Sequence, residues 1–439
     1  MLIFAPLYKM AFAPEASYGD FCRDFRFFRL WAHIYKIMWR SLFDRSYREM
    51  YPFKLTDPPK FANDIHMVRI RESWRESEGS DENCDMCAES CCAQLKCPML
   101  DEKGRCLSYG SLYFSYLFCG RYPENQSQID LYQCPKWEMR PDVPDVIKKT
   151  KNEIWVYNKG HYERERIVAE KWMRLIYDRP VVGATLLFFV KRKFFSRLYG
   201  IYCSTAFSAR KIPKFIQENQ IDMTGCEGPY KTFAEFFARE RRGVVFPKEH
   251  GILFSPCEGL VSLRDDIDPK KMIAAKSHLI SLDELFGDKE LAEAYRGGLM
   301  IKIRLTPANY HRMHFFDDGI VNCSKFINGD LFSVSPLALR RIGQLYCRNK
   351  RALIQFSSKN FGDVTIVEVG ATFVGSIVHC FKDGEPVSRG QQAGYFLPGG
   401  SLVLMFFKKG AFTPDETLIE QTIMGYETKV QLGEALGYA

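Results

Sequence analysis

Six consecutive apolar residues, Leu402-Val403-Leu404-Met405-Phe406-Phe407, constrain this chain more than any other stretch. A run this short, dense in β-formers and free of polar residues, reads as a buried strand. It is entered through Gly399-Gly400-Ser401. Two glycines allow backbone conformations closed to other residues and leave room for close approach to the Gly400 carbonyl. The Ser401 hydroxyl follows that carbonyl directly. Given a base to take its proton, it can attack the preceding peptide bond, so Gly400-Ser401 is a candidate self-cleavage site. Alone, a Gly-Gly-Ser run also reads as an ordinary turn.

The rest of the chain has the size and composition to build such a core. Its 439 residues are 46% hydrophobic and 14% aromatic, which excludes a disordered chain and allows two or three domains. The formal charge is +8, without a long Lys/Arg block, so no nucleic-acid partner is indicated; a mild basic excess suits an anionic membrane surface. No stretch reaches the length of a spanning helix. The nearest, Val181 to Val190, stops at Lys191-Arg192-Lys193. The first residues lack a charged region ahead of an apolar one, so no secretory signal is expected. No strand–GxGxxG–helix or phosphate-loop pattern occurs, and no nucleotide cofactor is indicated.

Residues 1–150 read as a separate N-terminal extension. Apolar positions 27, 28, 31, 34, 35 and 38 fall near helical spacing among Arg26, Arg29, Lys36 and Arg40. Such a helix suits a membrane interface or packing on the protein. Residues 72–83 form a charged linker. A cysteine-rich region then runs over 84–134, with Cys84, Cys87, Cys91, Cys92, Cys97, Cys106, Cys119 and Cys134. Cys84-x-x-Cys87 has zinc-ligand spacing, but the later cysteines do not repeat the short pair; disulfides and plain thiols stay open. Cys203, Cys226, Cys257, Cys323, Cys347 and Cys380 are scattered and read as reduced core residues.

Residues 151–439 read as one domain after a proline-containing linker at 141–150. A helix is expected over about 163–178, with Ile167, Trp172, Leu175 and Ile176 sharing a face. Thr232 and Glu235 form a capping box opening a helix to Arg241, and Ser281 and Glu284 open another to about Tyr295. Ser333 to Tyr346 is read as a helix. Strands are expected at Ile252–Phe254, Leu299–Leu305, Leu353–Ser357, Val364–Val369, Thr372–Val378 and Leu402–Phe407, with Gly and Asp between them. The fold class is therefore α+β: a helical N-terminal part, then a mostly antiparallel, β-rich, sandwich- or barrel-like catalytic domain.

Several stretches recur in one order: Arg304-Leu305-Thr306-Pro307-Ala308-Asn309-Tyr310-His311-Arg312-Met313-His314, Asn328-Gly329-Asp330, Val369-Gly370-Ala371, Val374-Gly375-Ser376-Ile377, Arg389-Gly390 and Gly399-Gly400-Ser401. This order and spacing resemble the phosphatidylserine decarboxylase family over roughly residues 165–439. The resemblance implies a proenzyme that cuts itself at Gly400-Ser401 into a large chain ending at Gly400 and a small chain 401–439. It also implies a covalent pyruvoyl group made from Ser401. His314 takes the base position; His311, three residues earlier, is sterically open to the same role. Glu258, in Ser255-Pro256-Cys257-Glu258-Gly259, stands where the family has aspartate, its arm one methylene longer. Asp317 and Asp318 are nearer in sequence but read as solvated turn acids. Leu402 and Pro398 also depart from the family pattern.

The expected reaction is conversion of phosphatidylserine to phosphatidylethanolamine and CO2, by a protein lying on a membrane surface, with its own two fragments and a homodimer as partners. Two other readings compete. One is a family member that has lost self-cleavage and serves as a lipid-binding or scaffolding protein. The other is a serine hydrolase, for which the Gly-x-Ser-x-Gly elbow is absent around Ser401.

Overall fold

The computed structural model describes residues 154–178, 183, 186–187, 193–269, 272–275, 278–339, 345–372, 377–399 and 401–439, and before them 32, 36, 39–40, 43–44, 68–71, 73, 129–130 and 137–140. The chain divides into two compact units, Met1–Asn152 with Lys276–His278, and Glu153–Ala275 with Leu279–Ala439. In the first, Val68–Ile70 pairs antiparallel with Trp137–Met139. The whole cysteine cluster, Cys84 and Cys87 included, lies outside the described residues, as does most of the expected helix over 25–40 and most of Val181–Val190.

The second unit is built on a ten-stranded sheet. Its spatial order is Pro386–Val387, Gly319–Ile327, Arg351–Ser358, Gly362–Gly370, Ser401–Phe407, Leu299–Leu305, Gly259–Arg264, Glu427–Val430, Trp155–Asn158 and His161–Arg164. Every pairing is antiparallel except that of Glu427–Val430 with Trp155–Asn158. The α+β, mostly antiparallel reading holds, but the sheet is open, so no barrel closes.

The apolar run sits at the centre of this sheet, and all seven residues from Ser401 to Phe407 are buried. Strand alternation sends Ser401, Val403, Met405 and Phe407 to one face. There Val403, Met405 and Phe407 join Val261, Ile301, Ile303, Leu305, Ile354, Val364 and Ile366 in one core. Leu402, Leu404 and Phe406 point to the other face, where Phe406 packs edge-on against Phe286 at 5.0 Å. Each such side chain contributes about 1.5–3 kcal/mol by leaving water.

Two small sheets cover the face that bears Ser401. One orders Arg312–His314, Gln392–Phe396 and Ile377–His379; the other orders Thr413–Pro414, Ala435–Tyr438 and Ile252–Phe254. Met313, Phe396, Ile377, Leu253, Phe254 and Leu436 carry them into the core.

Several local expectations change. Thr232 caps its helix, accepting from the Glu235 backbone N–H at 3.1 Å, but the helix is only Phe233–Phe237. The Ser281 helix breaks at Gly287, whose φ is +65°, into Leu282–Phe286 and Lys289–Glu293. Ser333–Tyr346 gives Pro336–Leu339 and Leu345–Arg348, with 340–344 outside the described residues. Residues 161–164 are strand, the helix runs Glu170–Asp178, and Trp172 is exposed rather than core-facing. All six scattered cysteines are free thiols; Cys203 and Cys257 are buried, but Cys323 and Cys380 are exposed.

Candidate active site

Ser401 opens the central strand opposite Gly370 on one side and Leu305 on the other. It is fully buried, and its Oγ has no hydrogen-bond partner. A buried hydroxyl left unpaired costs roughly 1–3 kcal/mol. Gly399, two residues before it, has φ +140°, a conformation that favours glycine. Gly400, the other half of the candidate scissile bond, lies outside the described residues.

His314 ends the Arg312–His314 strand, anchored by its backbone N–H donating to the Pro256 carbonyl at 2.9 Å. Its Nδ1 lies 2.9 Å from the Gly390 carbonyl oxygen. A carbonyl only accepts, so Nδ1 carries the proton and Nε2 carries the lone pair. That Nε2 is buried without a partner. Burial holds the imidazole below its ordinary pKa; the Gly390 carbonyl opposes this and Arg312 adds to it. The ring therefore sits neutral, in the tautomer a base requires. Phe246 and Tyr310 flank it, with ring centroids at 5.3 and 6.4 Å.

His311 is stacked on Phe237 at 3.9 Å and wholly buried. Burial, and then Arg239, push its pKa down to about 3 against the Thr306 and Pro307 backbone. It is a neutral, fully buried ring.

Glu258 is not hydrogen-bonded to His314. Its Oε1 accepts from Asn309 Nδ2 at 2.8 Å, and its Oε2 meets Arg241 at 3.3 Å. Asn309 Oδ1 in turn accepts from the Thr306 backbone N–H at 2.7 Å and from its hydroxyl at 2.8 Å. The carboxylate thus braces the loop leading into the two histidines. Asp317 is buried rather than solvated, accepting from Ser358 Oγ and from the Asn360 backbone and side chain. Among the described residues no group of three or more His, Cys, Asp or Glu side chains could hold a metal ion.

The residue that sequence reasoning left without a role is Gly390. Its φ is +80°, and a Cβ there would come within 2.7 Å of the Phe246 ring. Arg389 fixes the same turn, its guanidinium donating to the Pro247, Glu249, Ile252 and Phe316 carbonyls. The Arg389-Gly390 pair was the available signal, but an acceptor carbonyl leaves no trace in side-chain chemistry.

On this α+β scaffold an unpaired serine heads an interior strand, and an imidazole protonated on Nδ1 ends a strand of the small sheet that covers the same face. The profile of the family described as "Phosphatidylserine decarboxylase" matches residues 230–438. A phosphatidylserine decarboxylase proenzyme of Clostridium novyi (strain NT) is 40% identical over 291 residues, covering 65% of this chain and 99% of that protein. Proteins of the same name from Clostridium perfringens (strain SM101 / Type A) and Ruminiclostridium cellulolyticum are 39% and 40% identical, each over 65% of this chain and covering 99% and 97% of themselves. The chain belongs to the phosphatidylserine decarboxylase family.

Proposed function

We propose that this chain is a phosphatidylserine decarboxylase proenzyme that cuts itself between Gly400 and Ser401. The observation that carries the reading is the pair of buried, unpartnered atoms, Ser401 Oγ and the lone-pair nitrogen His314 Nε2. Ser401 Oγ adds to the Gly400 carbonyl, and its proton passes to His314 Nε2. The peptide C–N bond gives way to an ester. Loss of the Ser401 α-proton expels the Gly400 carboxylate, and water replaces the remaining nitrogen, which leaves as ammonia. Gly390 holds the His314 tautomer; Glu258 acts on His314 at one remove, through Asn309 and the 306–312 loop.

The residues present fit a pyruvoyl group at position 401, because the serine is buried, unpaired and preceded by glycine. That group supplies a ketone able to bind the primary amine of phosphatidylserine and withdraw electrons as the carboxylate leaves as CO2. In this reading the rings of Phe237, His311, Tyr310 and Phe246 keep competing water out, and His314 returns a proton to the product carbon.

Among the described residues no helix is long and apolar enough to cross a membrane. The helix Lys193–Cys203 exposes Phe194, Leu198 and Ile201 at helical spacing, followed by exposed Phe207, with Arg197, Arg210 and Lys211 nearby. This basic, apolar face supports docking on an anionic membrane surface, where the substrate lies. No observation favours the non-processing reading.

Intact-mass analysis of purified protein tests the proposal. Wild type is expected as two fragments, 1–400 and 401–439, the small one blocked to Edman degradation. Ser401→Ala is expected as one uncut chain. A single uncut wild-type chain that still folds would reject the reading.

A further inference from the structure

Glu368 is buried, 1% exposed, in the Gly362–Gly370 strand beside the central one. It stands opposite Val403, while Ser401 stands opposite Gly370. Opposed residues share a face, so Glu368 and Ser401 are diagonal neighbours on one side of the sheet, roughly 7 Å apart. Around it on that face lie Val364, Ile366, Val403, Ile354 and Ala352. Glu368 is the one charged side chain on this face of the four central strands. A carboxylate in such surroundings costs several kcal/mol unless it is paired.

Its partner comes from the other sheet. Glu368 Oε2 lies 2.7 Å from His379 Nε2. The His379 ring is clamped between Phe326 at 5.0 Å and Phe381 at 4.7 Å, both nearly parallel to it. His379 and His314 occupy the two outer strands of one small sheet: His314 pairs with Gln392 and His379 with Gly394 of the strand between them. The two outer strands are about 10 Å apart. The Glu368–His379 bond therefore fixes one edge of the histidine-bearing sheet to the strand beside Ser401, and His314 rides on the other edge. The Glu258 turn lies within the same field, since burial raises the Cys257 pKa and the charges of Glu368 and Glu258 raise it further.

We propose that Glu368 and His379 are a positioning pair for self-cleavage, holding the sheet that carries His314 in register over Ser401. This rests on the self-cleavage reading above. It differs from a plain brace in what it controls. An error of about 1 Å in the placement of a base costs about a hundredfold in rate while leaving the fold intact.

The test follows the rate of fragment appearance in full-length protein, with the thermal midpoint of each variant beside it. Glu368→Leu, which removes the acceptor, and His379→Phe, which keeps the aromatic stack, are each expected to slow cleavage about tenfold or more; the midpoint of Glu368→Leu stays near native, and that of His379→Phe falls because the carboxylate is left unpaired. The double variant is expected to be no slower than either single one, because both remove the same bond. His379→Gln, which restores a donor to Glu368, is expected to recover much of the rate. Wild-type rates in folded Glu368→Leu overturn the proposal. If Glu368→Leu does not fold, His379→Phe and His379→Gln decide: equal, wild-type-like rates overturn it, and slow-then-rescued rates support it. An uncut wild-type chain overturns the self-cleavage reading and this role with it, whereas a cut wild type with indifferent variants overturns only the role.

Discussion

His314 and Gly390 are 76 residues apart, yet the carbonyl of one fixes the tautomer of the other. Replacing Gly390 by Ala drives a methyl group toward Phe246 and strains a φ of +80°. The carbonyl shifts, Nδ1 loses its acceptor, and self-cleavage is expected to slow about a hundredfold while the chain stays folded. A gel time course of fragment appearance checks this; an unchanged rate would remove Gly390 from the site. The His314 pKa is lowered, chiefly by burial. A lowered histidine pKa means the neutral base survives to lower pH. The acid limb of cleavage is therefore expected to be centred below 6.5, the ordinary value. An acid limb centred above 6.5 would contradict this direction. At this scale the sequence was partly legible. Ser401 and His314 stand out in the sequence because a hydroxyl and an imidazole are side chains able to do chemistry. Gly390 works through its backbone, and Glu258 through hydrogen bonds to Asn309 that no spacing announces.

The strands most easily read were those buried on both faces. Leu402–Phe407 and Leu299–Leu305 announce themselves because nothing polar interrupts the first and only Lys302 and Arg304 the second. Gly319–Ile327 escaped notice because much of it is solvated, with Asn322, Cys323 and Phe326 exposed. The hairpin Trp155–Asn158 with His161–Arg164 escaped for another reason. Its turn, Lys159-Gly160, is a weak signal, and its place in the sheet depends on pairing with Glu427–Val430, far along the chain. The Ser281 helix comes out shorter because Gly287 ends its first part, whereas the Thr232 helix stops at Phe237 with no glycine or proline before Arg241 to announce it. The central strand is the element with the most to lose. Leu404 is fully buried on the helix-covered face, and Leu404→Ala is expected to cost about 2–5 kcal/mol. Denaturant unfolding of the uncut Ser401→Ala background measures this without interference from cleavage. A loss under about 1 kcal/mol would mean that the face repacks.

Across the whole catalytic unit, the segment after Ser401 is woven into the segment before it. Its first strand lies between Gly362–Gly370 and Leu299–Leu305, and its Glu427–Val430 strand between Gly259–Arg264 and Trp155–Asn158. Buried charges tie the same pieces together. Arg304 donates in parallel to both Glu165 oxygens at 2.8 Å and also to Glu427, whose other oxygen meets Lys302 at 3.0 Å. Burial pushes the Glu427 carboxyl up, but Arg304 and Lys302 outweigh it and hold its pKa down to about 2. Lowered below its unfolded value, it stabilises the fold above about pH 4.5, and that support is lost as pH falls toward 2. Glu427→Gln, leaving Lys302 and Arg304 short of a counter-charge, is expected to cost about 3–5 kcal/mol at neutral pH and to flatten the acid side of the stability profile. Thermal midpoints from pH 7 to 3 check both. Interweaving of this kind has a consequence once the proposed cut is made. A folding equilibrium within one molecule becomes an association between two, so the finished protein is exposed to dilution in a way its precursor is not. The interleaved strands are brought together most readily while the chain is still uncut. A mature copy that comes apart has lost the covalent instruction that assembled it, and its service life is set by how slowly it opens.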